Sequence, residues 1–165
     1  MTAAIRVRTE RLDLLPIPPA AAAALPGDRA TAQAELGSAL PPTWPHAALL
    51  GVLARQGSLR DGQERFGAWC IIERTADVVI GDIGFDGPPD ADGIVEIGYS
   101  IDPGWRRRGM AGEALAGLLG WVDREADVTG VIACCSPDNT PSIRLLEAHG
   151  FRRAGLRGDE LRWAR

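Results

Sequence analysis

Residues 94–101, IVEIGYSI, alternate: Val95, Ile97, Tyr99 and Ile101 fall on one side, Glu96, Gly98 and Ser100 on the other. A two-residue period predicts a half-buried strand. RLDLLPI (11–17) alternates in the same way and predicts another. FGAWCIIE (66–73) and VVIGDIGF (78–85), joined by RTAD, predict a hairpin. Elsewhere the spacing turns helical. PIPPAAAAALPG (16–27) starts a short helix with Pro18 or Pro19 in its first turn. HAALLGVLARQG (46–57) sets Leu49, Leu50 and Leu53 on one face, with Gly57 to stop it. Leu115, Leu118, Leu119, Val122 and Ala126 mark a third helix. TPSIRLLEAHG (140–150) predicts a fourth, with Thr140 as N-cap, Pro141 in first position and Gly150 at its end. VTGVIACC (128–135) is an unbroken apolar run, as in a strand buried on both faces. FRRAGLR and ELRWAR finish the chain as two short strands. SALPPTWP (38–45), RDGQER (60–65) and DGPPDADG (86–93) connect as loops.

This order predicts an α+β fold, a mixed sheet with a parallel element near its middle. The chain has 165 residues, 45% of them apolar, which fits a single domain over 1–165 with a real core. A formal net charge of −4 argues against general affinity for nucleic acid. No apolar run reaches membrane-spanning length, and the N-terminal residues lack a signal-like apolar region, so a cytoplasmic, non-membrane protein is expected. Cys70, Cys134 and Cys135 form neither a disulfide framework nor a metal-ligand spacing, so no metal site is expected. Every basic residue is arginine or histidine, which removes Schiff-base and P-loop lysine chemistry.

The densest chemical signal is GWRRRGMAGEAL (104–115). Helix N-termini leave N–H groups unpaired, and their dipole favours negative charge. Gly109, Ala111 and Gly112 leave those amides accessible, while Arg106, Arg107 and Arg108 add positive charge. The stretch reads either as a phosphate or diphosphate cradle or as a solvated basic loop before a helix. GxGxxG and GxxxxGK[ST] are both absent, which argues against those two nucleotide sites.

R-R-R-G-M-A, read as [Q/R]-x-x-G-x-[G/A] after a strand ending IDP, resembles the acyl-CoA signature of the GNAT N-acetyltransferase family. SPDNTPSIRLLEAHGFRRAG (136–155) and TERLDLLPI (9–17) resemble the RimJ/RimL-like branch, which acetylates ribosomal-protein N-termini. The resemblance implies a mostly antiparallel central sheet with a splayed parallel strand pair, here 94–101 and 130–135, and flanking helices. It implies an enzyme that moves acetyl from acetyl-CoA directly to a primary amine, at a protein N-terminus or on a small molecule. It also admits a homodimer. A non-catalytic acyl-CoA-binding module is the alternative.

Carried over by position, Arg106, Arg107, Arg108, Gly109, Met110, Ala111 and Gly112 would hold the diphosphate, mostly by main-chain N–H. Tyr99 and Ile101 would bond the pantetheine amides beside a strand bulge, and Asn139 would bond them from the second region. Glu96 is the candidate base, its other reading being an ion-paired carboxylate. Ser142 is the candidate proton donor to the thiolate, or else a first-turn residue satisfying a local amide. The family's usual tyrosine acid is replaced by Leu146. A lysine-like amine is neutral about once in 2,500 molecules at pH 7, an α-amine roughly once in seven. Only the first needs a strong base. Asp82 and the acidic loop 86–92 are read as loop polarity or an amine-attracting rim, and Trp44 as partial core or an acceptor-site wall.

Overall fold

A computed structural model describes residues 5–57, 59–60 and 62–165. Asp61 of the RDGQER connection lies outside them. Eight strands form one sheet in the order β1-β2-β3-β4-β5-β6-β8-β7. They are β1 (Val7–Arg8), β2 (Leu12–Pro16), β3 (Ala68–Glu73), β4 (Val78–Phe85), β5 (Ile94–Ile101), β6 (Gly130–Cys135), β7 (Arg152–Arg157) and β8 (Glu160–Ala164). Five helices flank it: α1 (Pro19–Ala24), α2 (Arg29–Leu36), α3 (Ala47–Gln56), α4 (Met110–Val122) and α5 (Thr140–Ala148). Every neighbouring pair is antiparallel except β5 and β6. The mixed α+β expectation, with its parallel element near the middle, therefore holds.

The alternation along each strand splits the core in two. One face carries Leu12, Leu14, Trp69, Ile71, Ile83, Val95 and Ile97 against Ala114, Leu115, Leu118 and Val122 of α4. The other carries Ala68, Cys70 and Ile72 against Ala21, Leu36 and Leu53 of α1 to α3 and Trp44 of the loop before α3. Close approach brings α4 onto the sheet edge. A Cβ at Gly117 would lie 2.7 Å from Thr9 Cγ2, so only glycine seats the helix there.

Several details differ from the sequence expectations. Helix α2 was not expected. Its apolar content is mostly alanine, and its signals are the Asp28 cap on Thr31 and Gly37 at φ 72°. Helix α4 ends at Val122, not near Ala126. From there Arg124 N–H and Glu125 N–H bond carbonyls only three residues back, and the chain tightens into turns. Strand β6 is not buried on both faces: Val131, Ala133 and Cys135 are buried, while Ile132 and Cys134 are half-exposed. Asn139, not Thr140, caps α5, its Oδ1 accepting Ser142 N–H at 3.2 Å. No helix among the described residues is long and apolar enough to cross a membrane.

Candidate active site

β5 and β6 pair only from Ile94 to Glu96, opposite Gly130 to Ile132. Beyond that, β5 stays with β4 up to the Gly81–Ile101 pair, and β6 stays with β8 down to the Cys135–Leu161 pair. The two parallel strands therefore diverge, and their facing backbone edges are left for a ligand to bond. The expected bulge in β5 is not there, because β4 and β5 keep unbroken register. The irregularities fall elsewhere, at Ile80 of β4 where it pairs with β3, and in β7.

The chain leaves the open end of β5 through a short 3₁₀ turn at Pro103–Trp105, fixed by Asp102 Oδ1 accepting Gly104 N–H at 3.0 Å. Positive φ follows at Arg107 (60°) and Gly109 (75°). Backbone of this kind builds anion-binding concavities. α4 then starts with Gly109 as N-cap and no side-chain cap. Its first intrahelical bond runs from Glu113 N–H to Gly109 O, so the Met110, Ala111 and Gly112 amides precede the ladder. The Met110 side chain is buried, so main chain is what that residue offers. Two arginine side chains are already engaged. Arg106 Nε donates to Ile101 O at 2.9 Å, and the Arg108 guanidinium sits 4.9 Å over the Trp105 ring. All three arginines are exposed.

Behind this turn lies a network that the sequence did not reveal. Glu113, in the first turn of α4, accepts from Thr9 Oγ1 (2.5 Å), Arg11 N–H (2.6 Å) and Arg11 Nε (2.7 Å). Arg11 Nη1 also donates to Arg108 O at 2.9 Å. Burial pushes the Glu113 carboxyl up, but the Thr9 and Arg11 hydrogen bonds outweigh it and hold it below the ordinary carboxylate range. The β1–β2 turn is thus tied both to the helix start and to the loop before it. TERLDL stood out as a strand and in the branch resemblance, not as an anchor for α4, because the partner carboxylate is 102 residues away.

A cavity of about 340 Å³ opens beside the divergence, lined by Gly98, Tyr99, Ser100 and Cys134 and by Asp82, which pairs across the sheet with Ser100. Glu96 lines it in an ion pair. Both its oxygens accept from Arg157, Nη1 and Nη2, at 2.6 Å each. The ion-paired alternative is the arrangement observed. Ser142 is half-buried at the start of α5, and its hydroxyl lies against the Tyr99 phenol. Burial raises the Tyr99 pKa, and Ser142 offsets part of the rise. Leu146 is 1% exposed and belongs to the core. The chain's single tyrosine therefore meets α5 from the strand side. Asn139 is exposed, and its capping role leaves the amide nitrogen available.

The Asp82 wall of the cavity joins residues distant in sequence. Asp82 Oδ2 accepts from Trp44 Nε1 at 2.9 Å and lies 3.0 Å from His46 Nε2. Trp44 is 2% exposed, so the partial-core reading holds and its N–H supports the site. Hydrogen bonding to Asp82 raises the His46 pKa, against the opposing effect of burial. Burial also raises both cysteines with resolved shifts, Cys70 up to about 12, so neither offers a ready thiolate. No group of His, Cys, Asp and Glu among the described residues is arranged to hold a metal.

Comparison with known proteins adds to this geometry. A family model described as an acetyltransferase (GNAT) domain matches residues 11–152. The uncharacterised N-acetyltransferase YjdG of Bacillus subtilis is 34% identical over 91 residues, 55% of this chain and 54% of that protein. The matches span about half the length of the curated relatives. Two solved structures share the fold. The ribosomal-protein-S5-alanine acetyltransferase of Vibrio fischeri has a TM-score of 0.71 at 15% identity, over 98% of this chain and 96% of that one. RimL, the ribosomal L7/L12 α-N-protein acetyltransferase, in complex with coenzyme A, has a TM-score of 0.66 at 16% identity, over 98% and 97%.

Proposed function

This chain belongs to the GNAT acetyltransferase family, and on that premise we propose that it is an acetyl-CoA-dependent enzyme that transfers acetyl directly to a primary amine. The observation that carries the reading is one juxtaposition: an uncapped helix N-terminus at the mouth of a diverging parallel strand pair. The residues present fit the cofactor. Gly109, at φ 75°, leads into the amides of Met110, Ala111 and Gly112, which offer N–H groups to a diphosphate. Arg106, Arg107 and Arg108 supply field more than contacts. The β5 backbone from Tyr99 to Ile101 offers its unpaired edge to the pantetheine amides, and Asn139 offers its amide nitrogen from the opposite side.

Acetyl-CoA supplies an activated thioester and a charged handle. The chain's own groups orient the acceptor and manage protons. Glu96 has both oxygens engaged by Arg157 in a bidentate pair. It forms a fixed wall of the acceptor site, and the proton released by the amine goes to cavity water. That suffices for an amine whose neutral form is well populated. Tyr99 stays protonated because burial raises its pKa, so with Ser142 beside it the phenol is the proton donor to the departing sulfur. The ledger closes with one N–C bond made, one C–S bond broken, one proton given up by the amine and one gained by sulfur.

Continuous detection of free thiol tests the reading. Acetyl-CoA with a panel of peptide N-termini and small amines is expected to release thiol in proportion to acetylated product. Tight acetyl-CoA binding without turnover on any acceptor would overturn it in favour of a non-catalytic module.

A further inference from the structure

The acceptor cavity carries seven ionisable side chains besides Tyr99 and Cys134, and most are already paired. Glu96 and Glu160 face Arg157, at 2.6 and 3.9 Å, and Asp86 faces Arg55 at 2.9 Å. Asp82 differs. It is 8% exposed, and among the described residues no guanidinium reaches it. Its supports are two ring N–H donors, both on Oδ2. His46 Nδ1 accepts the Leu49 amide at 3.3 Å, which caps α3 and requires that nitrogen unprotonated. The network therefore places a proton on Nε2, which donates to the carboxylate. Oδ1 accepts no hydrogen bond from any described residue, although the side chain lines the cavity. Oδ1 is therefore left open to the cavity, where a ligand's N–H can take the place of water.

Resting on the acetyl-transfer reading, we propose that Asp82 anchors a second, non-reacting cationic group of the acceptor, so that the acceptor is a small diamine. The alternative use of the carboxylate, holding the reacting nitrogen, works against the chemistry. A carboxylate stabilises the ammonium form, and only the neutral amine attacks. Held by its other end, a diamine gains affinity from Asp82, and its second positive charge lowers the pKa of the amine left to react.

Placement agrees. Asp82 pairs across β4–β5 with Ser100, and Gly84 pairs with Gly98. Asp82 is thus about 5 Å from one end of the open β5 edge and about 7–8 Å diagonally from the other. A linker of about five carbons covers that separation. Gly98 has nothing within 4 Å of where a Cβ would be, so the path between the two points is clear. Four carboxylates against two guanidiniums give the cavity a negative balance suited to a dication.

The test compares cadaverine with its mono-amine analogue pentylamine. For the native protein, kcat/KM is expected to favour cadaverine by at least about tenfold. In Asp82→Asn, which keeps the shape and an acceptor for Trp44 and His46, the ratio is expected to fall to near one, and Asp82→Glu is expected to restore part of it. Calorimetric binding of acetyl-CoA to each variant serves as the folding control. A native ratio near one, or an Asn variant that keeps the preference, overturns the proposal while leaving acetyl transfer intact. Should neither amine be acetylated, cadaverine is titrated into the CoA-bound protein. Binding that the Asn variant loses upholds the anchor and rules out acetyl transfer to these amines, and absence of binding overturns the anchor.

Discussion

Replacing Arg11 with alanine removes the side-chain link between the β1–β2 turn and the proposed acetyl-CoA cradle. Two charge-assisted contacts disappear, Nε to Glu113 at 2.7 Å and Nη1 to Arg108 O at 2.9 Å. In a buried setting each would be worth about 1.5–3 kcal/mol. Arg11 is 40% exposed, against 15% for Glu113, so solvent screens the pair, and Thr9 and the Arg11 N–H still hold the carboxylate. A total near 2 kcal/mol is the working value after that discount. For a domain of this size it lowers the melting temperature by about 4–8 °C. The same energy spent on reordering the loop weakens acetyl-CoA binding by up to about thirtyfold. Calorimetry and steady-state kinetics read the second effect, which is expected mainly in the KM for acetyl-CoA. Arg11→Lys, which restores the contact to Glu113 but not both contacts together, is expected to fall between. A melting drop with acetyl-CoA affinity unchanged would refute the reasoning, since Arg11 would then hold the fold and not the cradle.

Other substitutions probe the remaining parts. Gly98→Leu places a side chain in open cavity space and is expected to raise the acceptor KM at least about tenfold with little change in calorimetric acetyl-CoA affinity. Tyr99→Phe is expected to lower kcat by about tenfold, measured by thiol release. The loss stays modest because a thiolate of pKa near ~8.5 leaves without a strong acid. His46, raised by its hydrogen bond to Asp82, is expected by NMR titration to lose its proton above the usual ~6.5, and nearer that value in Asp82→Asn. Since folding raises its pKa, this contribution to stability is whole below ~6.5 and fades as pH climbs through the folded value.

What the sequence disclosed divides by range. VVIGDIGF and IVEIGYSI matched β4 and β5 to the residue, because the pattern is local: β5 sets Val95, Ile97 and Ile101 in the core against α4 and opens Glu96, Gly98 and Ser100 to the cavity. The turn proposed as the cradle drew notice for the same reason: glycines, arginines and a helix start lie within ten residues. Helix α2 was missed because alanine carries little amphipathic signal, only Ala32 and Leu36 being buried. The α5 cap was displaced by one residue because Asn139 and Thr140 both suit that position, and only the geometry chooses. The site's long-range pairs could not be read from one chain at all. Glu96 meets Arg157 across 61 residues, and Asp82 meets Trp44 across 38. Nothing in the local pattern around Glu96 distinguishes a free base from a neutralised wall.

The most direct test is calorimetric titration of acetyl-CoA into the native protein, Gly109→Val and Arg107→Ala. Valine at a position held at φ 75° strains the backbone and crowds the Met110 to Gly112 amides, whereas Arg107 contributes only an exposed charge. Native binding, a loss of at least about thirtyfold in the valine variant and a loss under about fivefold in the alanine variant are the expected results. No uptake by the native protein, or equal uptake by native and valine forms, would contradict the account.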